Sequence, residues 1–292
     1  MDKAHLSKRA YLLHLSAASI ANGIKNGMFR SLFYGHGVEF RGVREYLRGD
    51  DVRAIDRNVT ARMGKPFVKI FEEERELDVF IILDKSLSMG TGSEKQTRME
   101  TAAECAQLIA MASFKNESPV GAVTFDGKIQ FSSSPKSGMH NLMRVLKEFE
   151  KPEVKKTEGS ALNSTLNGAE KLLRKRTLVL VISDFRTTGW EDSFARLCQK
   201  NDVIAIRITD PLDASLPKIG SVLFSDPETD YRCVLPCSSK EFAKAWSSDN
   251  NRRTDLWKKS CLSHGGIPLI ISTADDAAGE LIKFFDTREK QI

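Results

Sequence analysis

Two runs constrain this chain more than anything else in it: Asp78-Val79-Phe80-Ile81-Ile82-Leu83 and Thr177-Leu178-Val179-Leu180-Val181-Ile182. Neither alternates polar with apolar, and neither is longer than a strand. A strand that is apolar at nearly every position must be covered on both faces, which happens in parallel sheets wrapped by helices. Residues 203–208 make a third such run. Between these strands the apolar period lengthens to that of a helix over residues 99–114, 139–149, 160–174, 190–199 and 239–263, and again from Asp275. Residues 120–125 and 268–271 read as further strands, and Asp126-Gly127 as a hairpin turn into residues 128–131. Strand and helix in alternation predict an α/β fold with an open, mostly parallel, doubly wound sheet of Rossmann type.

Residues 1–76 follow a different rhythm. Leu6, Leu13, Ala17, Ile20 and Ile24 recur at helical spacing, and Gly35, Gly37 and Gly42 mark turns. Residues 41–69 are then dense in charge of both signs, with bases in excess. A basic patch for phosphate or nucleic acid is one reading of that segment. Ion pairing among Arg44, Glu45, Arg48, Asp50, Asp51 and Arg53 is the plainer one, because the signs are interspersed. Phe40, Tyr46 and Phe67 are the only aromatics there that could stack on bases. We expect a helical and extended N-terminal arm over residues 1–76, packed on or adding strands to a domain over residues 77–292.

Composition excludes little. A net charge of +5 is mild for 292 residues, and no run approaches the roughly 20 apolar residues of a membrane helix. Five scattered cysteines, an odd number, point to a reduced, cytoplasmic protein. Cys233, Cys237, Cys261 and His264 make zinc conceivable, but their spacing is wrong for a zinc knuckle.

Open α/β sheets bind ligands just beyond the carboxyl ends of their strands. The first apolar strand runs into Asp84-Lys85-Ser86-Leu87-Ser88, the one at residues 177–182 runs into Ser183-Asp184, and Glu158-Gly159-Ser160 enters a helix between them. Asp84, Ser86, Ser88, Ser160 and Asp184 are all oxygen donors, a set that suits Mg²⁺ (or Mn²⁺) with coordination left incomplete. Ser86 and Ser88 would bind directly, Ser160 directly or after a shift, and the two aspartates through water. The open position would take an acidic side chain from another protein. The competing reading is that these residues merely cap a helix or shape a turn.

Asp84-Lys85-Ser86-Leu87-Ser88, Gly159-Ser160 and Ser183-Asp184 resemble the metal-ion-dependent adhesion site of von Willebrand factor A domains. Upstream, Gly49-Asp50-Asp51-Val52-Arg53, Ile55-Asp56-Arg57-Asn58 and Lys69-Ile70-Phe71-Glu72-Glu73-Glu74-Arg75-Glu76 are similar to the bacterial family catalogued as domain of unknown function 58. That resemblance runs from Gly37 onward. It implies a von Willebrand factor A-like fold and a non-enzymatic, cytoplasmic binding protein, an adaptor or assembly factor for a MoxR-type AAA+ ATPase. Two residues depart from the pattern. Arg57 stands where the family usually has Trp, and Ser160 where the adhesion site usually has Thr. The hydroxyl survives at Ser160, so metal binding should survive with looser positioning, because Ser lacks the β-methyl that stiffens χ1.

A metal-dependent phosphohydrolase of the haloacid dehalogenase type would also place an Asp after the first strand. It needs a second acid two residues on, where this chain has Ser86. No Gly-x-Ser-x-Gly elbow and no Gly-x-x-x-x-Gly-Lys loop is present, which leaves serine hydrolysis and nucleotide binding without support.

Overall fold

The computed structural model describes residues 39–47, 50–72, 77–93, 96–151, 161–217, 220–225 and 232–289, together with Ala17, Ile20 and Ala21. Strand β1 (Glu39–Glu45) is the first described strand, followed by helix α1 (Arg57–Met63) and strand β2 (Phe67–Glu72). The α/β domain then runs β3 (Val79–Asp84), α2 (Arg98–Lys115), β4 (Val120–Phe125), β5 (Ile129–Lys136), α3 (Met139–Glu150) and α4 (Leu162–Leu172). It continues with β6 (Leu178–Ser183), α5 (Glu191–Lys200), β7 (Asp202–Thr209), α6 (Pro211–Ala214), β8 (Val222–Ser225) and β9 (Arg232–Leu235). Helix α7 (Lys240–Ser263), β10 (Ile267–Ser272) and α8 (Ala277–Glu289) close it.

The central sheet has six strands in the order β10-β7-β6-β3-β4-β5. Five are parallel, and β5 joins β4 antiparallel at the edge. Asp126 makes that hairpin, its Oδ1 accepting from the Lys128 amide at 2.9 Å, which is how Asx turns are built. Pro135 sits on β5, where an edge strand tolerates a missing donor.

The unbroken apolar character of β3 has the expected cause. Val79, Ile81 and Leu83 face one core, formed with Leu108 and Ile109 of α2, Val145 of α3 and Leu281 and Phe285 of α8. Phe80 and Ile82 face the other, formed with Leu166 of α4, Phe194 of α5 and Trp257 of α7. Helices cover both faces, so the sheet is doubly wound. The chain steps from β3 to β4 on one side and later returns to β6 on the other, which puts the reversal of strand order at β3 and β6. Ligand crevices form at such reversals.

N-terminal to this domain, β1 and β2 form their own antiparallel pair with a bulge between Phe40 and Gly42. That pair adds no strand to the central sheet. Ala17, Ile20 and Ala21 are helical and buried in the α2 core, and Asn116 Nδ2 donates to the Ala21 carbonyl at 2.7 Å. The other residues of the proposed N-terminal helix lie outside the described residues. Among the described residues no helix is long and apolar enough to cross a membrane.

Candidate metal centre

The chain leaves the carboxyl end of β3 through Asp84 and turns at once. The Ser86 amide donates to Asp84 Oδ1 at 2.9 Å, and a 3₁₀ turn over Leu87–Gly90 follows. Ser86 occupies the N-cap of that turn but makes no side-chain capping bond. Its Oγ instead lies 3.1 Å from Ser88 Oγ, and both serines are buried. Asp84 therefore shapes the turn, while the two hydroxyls pair beside it rather than serve the helix terminus. On the adjacent strand, Ser183 Oγ donates to Asp84 Oδ2 at 2.6 Å. Burial first, and then the charge of Asp184, push the Asp84 carboxyl up to about 7 despite hydrogen bonds from Ser183 and Ser86.

Asp184 is 4% exposed and sits one residue beyond β6. Its Oδ1 accepts from the Arg186 amide at 3.2 Å. Its Oδ2 is buried without a hydrogen-bond partner and faces Arg186 Nε at 3.6 Å, an ion pair too long for a hydrogen bond. The next residue, Phe185, has φ +52, a left-handed backbone that non-glycine residues adopt at a cost. Its ring packs on Trp190 and Trp257, with centroids 5.1 and 5.3 Å away, which holds the strained turn in place.

Ser160 lies outside the described residues. Ala161, which follows it, donates its amide to the Asp126 carbonyl at 2.8 Å, just past the end of β4. The structure thus brings together Asp84, Ser86 and Ser88 on one loop with Asp184 on the neighbouring strand end. The donor set is two buried carboxylates and two hydroxyls, with like charges held close and one carboxylate oxygen unsatisfied. That chemistry fits a hard divalent cation, which would relieve the repulsion and take the free oxygen. Among the described residues no group of three or more His, Cys, Asp or Glu is placed to hold a metal, so a site here depends on the serine hydroxyls.

Lys85, between the two ligand positions, turns the other way. It is buried, and its Nζ donates to the carbonyls of Glu148 at 2.7 Å and Lys151 at 3.0 Å, at the carboxyl end of α3. A cation there meets the negative end of the helix. It is not presented to the Asp84 side, where a phosphotransferase would need it.

Sequence reasoning missed a second layer around the site. Asp210, directly after β7, is buried and accepts from the Ser93 amide and hydroxyl, the Leu212 amide and Thr273 Oγ1. Burial opposes its ionisation, yet these hydrogen bonds prevail and hold its carboxyl below the ordinary range. It ties the loop that follows Ser88 to the ends of β7 and β10. Asp213 Oδ1 accepts from Arg98 NH2 at 2.8 Å and from Arg186 NH2 at 2.6 Å. The strand-end rule, applied to residues 203–208 as it was to the other two runs, points to this Asp-Pro-Leu-Asp segment.

Relatives in two mycobacteria, proteins of Mycobacterium bovis and Mycobacterium tuberculosis both named as uncharacterised, are 25% identical over 300 residues. Each alignment spans 99% of this chain and 92% of the relative. Among solved structures, an aerotolerance-related membrane protein from Bacteroides fragilis is 18% identical, with a TM-score of 0.46 over 74% of this chain and 100% of that one. The SpRpn10 VWA domain is 13% identical, with a TM-score of 0.38 over 72% of this chain and 95% of that one. The family model described as protein of unknown function DUF58 matches residues 42–255. With most of its length inside that match, the chain belongs to this family.

Proposed function

We propose that this protein is a non-enzymatic interaction module that binds its partner through Mg²⁺ (or Mn²⁺) held by Asp84, Ser86 and Ser88, with Ser160 and Asp184 completing the set. One observation carries the reading: two buried acids and two paired hydroxyls meet at the strand-order reversal, where burial and the charge of Asp184 push the Asp84 carboxyl up. When bound, the metal supplies an electrophilic position for a carboxylate. The chain's own residues orient that position. Ser183 fixes Asp84, the left-handed turn at Phe185 aims Asp184, and the 3₁₀ turn sets Ser86 beside Ser88.

The absence of an acid at position 86 and the engagement of Lys85 by α3 carbonyls favour binding over phosphoryl transfer. The family resemblance implies a cytoplasmic setting, with a MoxR-type AAA+ ATPase or its client as the partner that offers the Asp or Glu. The test is a pull-down of that ATPase with wild type and with Asp84→Ala, in Mg²⁺ and in chelator. Capture that needs both Mg²⁺ and Asp84 supports the reading. Capture that survives chelator and the substitution contradicts it.

A further inference from the structure

We propose that Arg186 is a built-in counter-cation that shares Asp184 with the metal, and that Asp213 governs how far it withdraws. The inference deepens the metal-binding reading above and rests on it. The Arg186 guanidinium spans two acids, with Nε 3.6 Å from Asp184 Oδ2 and NH2 2.6 Å from Asp213 Oδ1.

The two acids are held very differently. Asp213 is fixed: Arg98, whose side chain is 4% exposed, binds the same Oδ1 at 2.8 Å, and the Asp210 amide binds Oδ2 at 2.9 Å. Toward Asp184 the guanidinium makes only the longer ion pair and leaves Oδ2 without a hydrogen bond. The Arg186 side chain is 48% exposed, so it can move off Asp184 without opening the core. Asp184 would keep its aim, because its Oδ1 is held by the backbone amide of Arg186 and not by the side chain.

The consequence is a graded competition. Without metal, Arg186 partly offsets the repulsion between Asp84 and Asp184. A divalent cation reaching Asp184 meets a positive charge already there, and like charges at this separation repel. Metal therefore binds more weakly than the bare acids would allow, and Asp213 lessens the penalty by giving the guanidinium another place to rest. Loading the site thus becomes coupled to α6 and, through Arg98, to the first turn of α2.

Calorimetry and thermal melts of the full chain with MgCl₂ at low salt, beside melts in chelator, test this. Arg186→Gln should melt below wild type in chelator and bind Mg²⁺ more tightly, on the order of tenfold, as expected for removing a charge within a few ångströms. Arg186→Lys, which keeps the charge, should stay within about twofold of wild type on the same grounds. Asp213→Asn should weaken binding, and that loss should vanish in the Arg186→Gln background, because it acts through the guanidinium. Unchanged or weaker binding by Arg186→Gln overturns the proposal, as does an Asp213→Asn effect of equal size in both backgrounds. If wild type binds no Mg²⁺, the metal reading fails and this inference falls with it. Binding by wild type without tightening in Arg186→Gln overturns the role of Arg186 alone.

Discussion

At the end of β3 the chain places an acid where its surroundings offer almost no solvent. Asp84 is 1% exposed, and burial and then Asp184 raise its pKa from 3.8 to about 7. A carboxyl whose pKa rises on folding holds its proton more tightly in the folded state. In metal-free protein its contribution to stability is therefore full below about 4 and is lost as pH climbs to about 7. Asp84→Asn removes that loss while keeping an oxygen for the Ser86 amide. Between pH 5 and 7, in chelator, wild type should lose on the order of 2 kcal/mol relative to Asp84→Asn. Urea denaturation at the two pH values measures it. An equal pH response in both proteins would show that the Asp84 charge is not strained. The same substitution should also abolish any rise in melting temperature on adding Mg²⁺.

At the scale of elements, the apolar runs at β3, β6 and β7 were legible because covering on both faces leaves almost no polar position, with Arg207 the exception in β7. Helix α7 was legible too, and in the structure its N-cap Ser239 accepts from the Phe242 amide at 3.3 Å. The hairpin of β8 and β9 was not. Its strands are four residues each, and Leu223 and Val234, directly paired, remain exposed at 62% and 64%, so no hydrophobic period announces them. The site was half legible for the same physical reason. Asp84, Ser86, Ser88 and Asp184 follow strands in sequence, whereas Arg186 and Asp213 meet only because β6 and β7 are neighbours in space. One close approach gives an element-scale prediction. A Cβ at Gly121 would lie 2.6 Å from the Pro135 nitrogen, 2.8 Å from Phe80 Cδ2 and 2.8 Å from the Ser133 carbonyl oxygen. Gly121→Ala should therefore destabilise the β4–β5 edge by about 1–3 kcal/mol, the usual cost of overpacking, read as a lower urea midpoint. Wild-type stability in that variant would mean that β5 yields freely.

For the whole molecule, three of the eight bases in residues 41–69 pair with acids of the same segment among the described residues. Arg44 pairs with Asp50 at 2.6 Å, Lys65 with Glu45 at 3.3 Å and Lys69 with Asp56 at 3.9 Å. The Arg44 guanidinium and the Leu47 amide hold the Asp50 carboxyl down at about 2, so that pair stays charged through the neutral range. A base held by an acid has less charge to offer a polyanion. We expect elution from heparin below about 0.2 M salt, the range for non-specific contacts. Retention that persists above this and falls steeply with added salt would instead favour a nucleic-acid surface.

The central claim is that Asp84 and its partners form a metal site, and Mg²⁺ titration by calorimetry, wild type beside Asp84→Ala, tests it most directly. The account predicts saturable binding of one ion per chain in wild type and none in the variant, with the far-ultraviolet spectrum unchanged between them. Equal binding in both proteins, or none in wild type, would contradict it.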